Sequence, residues 1–593
     1  MSKAAKPLPS SLFATWLSSF SSALCAEDFD AVAATFLPHG WYRDILTFTW
    51  DLRALRGPSQ ISEYLRKNAT GLSLSNIRPD DDPYLMSHFV PGSEDATVEG
   101  AFRFETPIAY GRGYVQLAQG ADSEWYGLLV CMTLTDLKGY EEPRDPPDWE
   151  AAAQGRPYGE LAADRRKRRE TDPYVLIGKF PLGAGQSGLQ VAARFDRMNI
   201  STLLIERDER VGDVWRKRYD SLALHTPKRH HGFLYQPFPE NWPEYTPRDK
   251  LADWMEAYAI TQELAVWTKS TLAGQPKWDP VGQRWNVRVN RSGTLVDLRP
   301  AHIVMATGVL GTPRPTGILD EQLFSGAVVR ADEYKNARSW VGKDVVVVGA
   351  GNSSIDICQD AVFAGANSVT MVQRSSTCVT ARKNIAEKMG KIWVDGVPQE
   401  VGDFVNGSVP LGMMKEYMIS HQEETWATDR ELHDKLRGSG LSLTLGPEGQ
   451  GQYLLVFERA GGYWLDKGGA DMIQSGAIKV KQGVSPRAFT RDALIFMDGS
   501  ELKADVVVLA TGYQYIRETS TRLLGKDVID RTTEIWGLDS EGELRGSYRP
   551  SGHPGLWFAA SDFFQSRYMS KHLALQIKAR ELGYVRDSLV ASL

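Results

Sequence analysis

Cysteine is scarce in this sequence: four in 593 residues, at positions 25, 131, 358 and 378. None stands in a Cys-x-x-Cys pair, so a disulfide framework and a dithiol redox centre are both excluded as organising features. No Cys/His spacing typical of a zinc site occurs either, and no metal is expected. No run of eighteen apolar residues is present, which excludes a helical membrane span. The opening Met-Ser-Lys-Ala-Ala-Lys-Pro leads into no secretory apolar core, so a reducing, cytoplasmic setting is expected. Charge of one sign is also lacking. With 68 basic and 74 acidic residues the net charge is −6, and no concentrated basic surface for nucleic acid is expected. What remains is 42% apolar and 24% charged, the make-up of a globular protein with several cores.

The first 140 residues differ in texture from the rest. Phe13, Trp16, Leu17, Phe20 and Leu24 recur at helical spacing within residues 12–36. A second helical piece follows near 61–67, and strand-like apolar runs such as 125–134 come after it. This order resembles the small α+β cone domains of the SnoaL and nuclear-transport-factor-two kind. Such cones often hold a small ligand, and Trp41, Tyr42, Arg43 and Asp44 are candidates to line a cavity. The alternative, an accessory packing or dimerisation domain, is favoured, and a homodimer is the assembly considered. Residues 141–173 read as a linker. Its basic run at 165–169 is flanked by acidic residues and reads as a solvated helix face.

From residue 174 short apolar strands alternate with helices, the pattern of parallel α/β structure. Val175-Leu176-Ile177 begins a strand, and Gly183-Ala184-Gly185-Gln186-Ser187-Gly188 follows as G-x-G-x-x-G. The first glycine permits a tight turn, the second lets backbone approach a pyrophosphate, and the third lets helix pack on strand. The pyrophosphate then sits at the helix N-terminus, where free amides favour negative charge. The next strand, 201–205, ends in Glu206, whose carboxylate suits a ribose 2′-hydroxyl. Residues 178–182 interpose roughly four residues more than such a turn needs. They predict a bulge, a displaced strand, or a misplaced splice junction that transcript sequencing would detect.

A second site follows. The four valines 345–348 enter Gly349-Ala350-Gly351-Asn352-Ser353-Ser354, with serine in place of the third glycine. The strand 368–372 ends in Gln373-Arg374 rather than an acid. A carboxylate there would repel a 2′-phosphate, whereas arginine holds one through paired charge-assisted hydrogen bonds. The first site therefore reads as FAD and the second as NADPH. Without the glycine motif, Arg374 would be read as a surface arginine.

Two such sites and their connecting segments resemble the flavin-containing monooxygenases, including the YUCCA-like members, over about residues 174–583. The resemblance rests on Gly212-Asp213-Val214-Trp215, on the flavin-facing segment 219–228, and on Trp242-Pro243-Glu244-Tyr245. Leu509-Ala510-Thr511-Gly512-Tyr513 and the run from Ser566 to Lys571 add to it. Of the fingerprint F-x-G-x-x-x-H-x-x-x-Y, Phe324, Gly326 and Tyr334 are present, but Arg330 stands where histidine is expected. Arginine is longer and always charged, and one role for it is contact with the NADPH phosphates.

The resemblance implies two Rossmann-type domains in a glutathione-reductase-like arrangement, behind the α+β cone. FAD is expected in 174–320 with a return segment at 496–593, and NADPH in 321–495. Gly183, Gly185, Gln186, Ser187, Gly188, Glu206, Trp215, Arg216, Thr511 and Asp562 are assigned to cofactor binding, as are Gly349, Gly351, Asn352, Ser353 and Arg374. His225 and Asn352 are the candidate catalytic residues. His225 is read either as a donor at the flavin's reactive edge or as a structural loop histidine. The implied activity uses NADPH and O₂ to form a flavin C4a-hydroperoxide and oxygenate a small organic substrate. Nitrogen or sulfur oxygenation and oxidative decarboxylation of a 2-oxo acid are the candidates. Baeyer–Villiger oxygenation and a catalytically impaired nucleotide-binding relative are the alternatives.

Overall fold

Proline at position 9 starts the first helix, Pro9–Cys25, where its missing N–H costs no hydrogen bond. Phe13, Trp16, Leu17, Phe20 and Leu24 form its buried stripe. In this computed structural model, which describes residues 7–92, 96–143, 155–178 and 183–585, that stripe packs on a seven-stranded sheet. The sheet runs in the order Leu52–Arg56, Phe36–Ile45, Trp125–Leu137, Ala109–Gln119, Thr97–Glu105, Ser75–Pro79, with His88–Phe89 also paired to Thr97–Glu105. The residues expected to line a cavity here are committed to other contacts. Asp44 accepts the backbone N–H groups of Thr47, Phe48 and Thr49 and the Tyr64 hydroxyl, closing a turn. Tyr42 lies in the core, and Arg43 on the opposite face is paired with Glu543. Period-two alternation along one strand sends these neighbours to different faces.

The basic run lies on the helix Tyr158–Thr171, which buries none of its side chains. Arg165 pairs with Glu263, Arg166 with Glu170 and Arg169 with Asp196, so acidic neighbours offset much of the run's charge.

The first parallel sheet runs Val266–Trp267, Thr202–Ile205, Val175–Gly178, His302–Met305, Leu556–Phe558. The helix Gln186–Arg197 and the final helix Phe563–Glu581 pack on it together. The expected interruption at residues 179–182 lies outside the described residues. The second parallel sheet runs Ala327–Arg330, Val506–Leu509, Asp344–Val348, Ser368–Gln373, Lys479–Gln482. Its strand Asp344–Val348 is buried on both faces from Val345 onward, each valine contributing roughly 1.5–3 kcal/mol over exposure. Val506–Leu509, expected in the return segment, instead lies inside this second sheet. The chain rejoins the first sheet only at Leu556. Between the paired strands Cys378–Ala381 and Tyr463–Asp466, six described helices span residues 382–459. Among the described residues no helix is long and apolar enough to cross a membrane.

Glu142 ties these parts together just after the N-terminal sheet. It accepts from Arg194 of the helix Gln186–Arg197, from Lys571 of the final helix and from the Tyr235 hydroxyl. Burial pushes its carboxyl up, but Arg194, Lys571 and Tyr235 outweigh that and hold it at about 2. The folded value lies below the unfolded one. The contribution, about 3 kcal/mol, is therefore complete above the unfolded value and is lost as the pH falls toward 2. Glu142→Gln is expected to lower the melting temperature at pH 7. The gap to the parent protein should narrow as the pH is brought to 3; a gap independent of pH would contradict the assignment.

Candidate functional site

At the first glycine loop, Gly185 caps the helix Gln186–Arg197. A Cβ on Gly185 would meet none of the described residues, which leaves room for a phosphate beside the first helical amides, those of Gln186 onward. Gly188 is the reverse: a Cβ there would sit 2.1 Å from the Gly183 carbonyl oxygen and 3.3 Å from the Ala306 Cβ. Only glycine permits that approach of helix to turn. Ser187 turns its hydroxyl inward, 3.4 Å from Ser561, into a buried hydroxyl network with Tyr548 and Ser566. Its side chain is thus used in packing, and only its backbone faces the loop.

Glu206 stands at the expected strand end but is 3% exposed. Its carboxylate accepts the N–H groups of Gly183 at 3.0 Å, Ala184 at 2.8 Å and Asp208 at 2.8 Å. Burial pushes this carboxyl above its ordinary value. A carboxylate has about four acceptor directions, so a ribose hydroxyl has to compete with the loop's own amides. The pyrophosphate end fits a dinucleotide; the carboxylate expected at the ribose end is committed to the loop.

Trp215, on the short helix Asp213–Arg216, stacks near Phe563 with centroids 6.4 Å apart. Its indole N–H is buried without a partner among the described residues and borders the cavity described below. Arg216 does not join it. Its guanidinium is held by the Val211 carbonyl, Asp213, Asp253 and Glu256, because four nearby acceptors outcompete any more distant group.

At the second loop, Gly349 has φ 131°, and a Cβ there would meet the Ala510 carbonyl oxygen at 2.3 Å. Thr511 follows directly after that contact, which places it beside the second glycine loop. Gly351 caps the helix Asn352–Phe363, and Ser354 is buried where a third glycine was absent. Gln373 is fully buried and bonded to Thr377 and to both backbone groups of Ser442. It anchors a loop and leaves the adjoining Arg374 exposed, with no ion pair among the described residues. Arg330 lies 3.8 Å from Glu321 and does not line the cavity.

Between the two domains lies a cavity of about 520 Å³. Trp215, His225 and Asp562 border it from the first domain, Asn352 and Ser353 from the second. His225 Nδ1 is 3.2 Å from Asn352 Oδ1, which also accepts the Leu465 N–H. His225 Nε2 is 3.2 Å from Asp356 Oδ2. Asp356 further accepts the Tyr219 hydroxyl at 2.6 Å and pairs with Lys467 at 2.9 Å. Burial pushes the Asp356 carboxyl up, but His225, Lys467 and Tyr219 hold it at about 2. The carboxylate therefore fixes a first-domain histidine onto a second-domain helix.

Sequence reasoning missed two features. One is His230, 3.3 Å from Asp562 Oδ2 on the cavity wall; Asp562 also caps the final helix by accepting the Gln565 N–H. No spacing rule connects residues 332 positions apart. The other is the roof: Met389, Ile392, Trp393, Met414, Met418 and Phe457, all from the insert 382–459. Prolines 398 and 410, each capping a helix N-terminus, were the local signal for that helical insert.

A family model described as flavin-binding monooxygenase-like matches residues 182–519. Indole-3-pyruvate monooxygenase YUCCA1 of Oryza sativa subsp. japonica is 30% identical over 59% of this chain and 79% of its own length. Probable indole-3-pyruvate monooxygenase YUCCA7 of Arabidopsis thaliana is 32% identical over 57% of this chain and 74% of its own. Among solved structures, an oxidised steroid monooxygenase bound to NADP aligns with a TM-score of 0.50 at 16% identity, over 70% of this chain and 85% of that one. That last likeness concerns the fold. The chain belongs to the flavin-binding monooxygenase-like family, the NADPH-dependent flavoprotein monooxygenases that its motifs resemble.

Proposed function

We propose that the chain binds FAD at the Gly183–Gly188 loop and NADPH at the Gly349–Ser354 loop, and inserts one oxygen atom of O₂ into a small organic substrate. The observation that carries this is the cavity of about 520 Å³ between the two domains, apolar above and bordered below by His225, Asn352 and Asp562. Bound flavin, reduced by the nicotinamide, would supply the electrons and the activation of O₂. The protein's own groups do the rest. Gly185 and the first turn of its helix receive the pyrophosphate, and Arg374 receives the 2′-phosphate. Asn352 and Asp356 hold His225 so that its ring borders the cavity at the junction of the two domains. His230 and Asp562 place a second hydrogen-bonding pair on the same wall. The apolar side chains of the roof would limit water at the site, which suppresses unproductive loss of reducing equivalents.

The names of the plant relatives make an aromatic 2-oxo acid the first substrate to test. Its conversion balances as 2-oxo acid, O₂, NADPH and a proton giving the shortened acid, CO₂, NADP⁺ and water. Incubated with FAD, NADPH, indole-3-pyruvate and ¹⁸O₂, the protein is expected to yield CO₂ and an acid carrying one labelled oxygen. NADPH consumption without a labelled acid would discard the decarboxylation and direct the search to nitrogen or sulfur substrates.

A further inference from the structure

The family match begins at residue 182, so it assigns nothing to the N-terminal domain. Yet that domain reaches the roof of the cavity at several points. Arg43, on the strand Phe36–Ile45, has its side chain 7% exposed. Its guanidinium makes two 2.6 Å bonds to Glu543. Its remaining nitrogen donates to the carbonyls of Gly407 and Val409. Those carbonyls lie at the junction of two roof helices, Gln399–Ser408 and Leu411–Ser420. The same helices place Asn406, Met414 and Met418 on the cavity.

The neighbouring contacts converge on the same junction. The Gly412 N–H donates to the Gly542 carbonyl at 3.0 Å. A Cβ on Gly412 would lie 3.0 Å from the Gly542 Cα and 3.1 Å from the Trp41 ring. The roof helix, the loop at Gly542 and the N-terminal strand therefore approach closely at Gly412, beside a small pocket of about 40 Å³ that Arg43, Gly407, Val409 and Glu543 line. Phe404 of the first roof helix meets the edge of the Tyr114 ring at 6.2 Å and lies under the Arg112 guanidinium. At the surface Arg56 pairs with Glu416 at 3.1 Å. The loop carrying Glu543 is itself tied to the N-terminal domain through Arg53–Glu541, and the nearby Arg549 through Asp51.

We propose that the N-terminal domain is part of the cavity's enclosure, with Arg43 as the positioning residue that holds the roof helices closed over the site. A guanidinium suits this role because one planar fork can serve a carboxylate and two carbonyls at once. Among the described residues the domain contributes no group to the cavity wall. It sets the roof's position, and through it how well the cavity excludes water. The inference rests on reading the cavity as the oxygenation site.

The test uses the full chain with Arg43→Lys and, as a milder surface change, Arg56→Ala. Hydrogen exchange of residues 405–420 is expected to speed up at least about tenfold in Arg43→Lys, and less in Arg56→Ala. Exchange in the strands Val175–Gly178 and Thr202–Ile205 should stay unchanged. With FAD bound and no organic substrate, NADPH oxidation to hydrogen peroxide in air should rise several-fold. The anaerobic rate of flavin reduction by NADPH should hold within about twofold. Should Arg43→Lys fail to fold, Arg56→Ala and Glu416→Ala carry both measurements. Unchanged exchange at 405–420, or exchange rising equally throughout the chain, would overturn the proposal. The exchange measurement needs no cofactor, so it decides this point even if FAD binding fails.

Discussion

Replacing Gly188 with alanine is expected to weaken FAD binding about 10- to 100-fold, the largest single-site loss at the first nucleotide site. The added methyl would lie 2.1 Å from the Gly183 carbonyl oxygen, a backbone atom with no rotamer to escape into. The helix Gln186–Arg197 has to move away from the turn, and overpacking of that kind costs roughly 1–3 kcal/mol. Each 1.4 kcal/mol is about a factor of ten in affinity. The same movement lowers the stability of the cofactor-free protein. Gly185→Ala supplies the contrast. Its Cβ would enter space free of the described residues, so the cofactor-free protein should melt as the parent does. Only flavin binding should suffer, because that space is where the pyrophosphate belongs. Flavin fluorescence titration and melting curves of both variants separate the two effects. If both bind FAD as the parent does, the loop is not the pyrophosphate site.

The second large effect concerns the choice between NADPH and NADH. Arg374 is exposed at the end of the strand Ser368–Gln373 and no ion pair among the described residues competes for it. Hydrogen bonds to a charged group contribute roughly 1.5–3 kcal/mol. Arg374→Ala is therefore expected to raise the KM for NADPH about 10- to 100-fold and to leave that for NADH nearly unchanged. Gln373, one position earlier, is not a substitute. It is buried and spends its amide on Thr377 and Ser442. A variant that loses NADPH and NADH equally would mean that Arg374 supports the loop rather than the 2′-phosphate.

The two glycine loops, the valine strand and the carboxylate at strand end were legible because they are local. Each is a short run whose turn, helix start or two-sided burial follows from its own residues. His225 was legible through its segment, although its partners Asn352 and Asp356 lie on another domain. Other features depend on contacts between distant parts of the chain. Val506–Leu509 looks like any buried strand, and only pairing shows that it belongs between Ala327–Arg330 and Asp344–Val348. Arg216 carries no sign of which acids surround it. Glu206 sits where the pattern puts it, yet its oxygens turn to the loop's own amides. Arg43 meets a glutamate 500 positions later. The helices of 382–459 went unread, and which of their faces closes over a cavity is fixed only by what they cover.

In the proposed function, two nucleotide sites with different ligands serve one cavity. The most direct test is the visible spectrum of the purified protein supplied with FAD, recorded without air before and after NADPH or NADH. The expected result is a bound-flavin absorption that NADPH bleaches quickly and NADH slowly, with colour returning when air is admitted. A colourless protein that takes up no FAD and consumes no NADPH would contradict it.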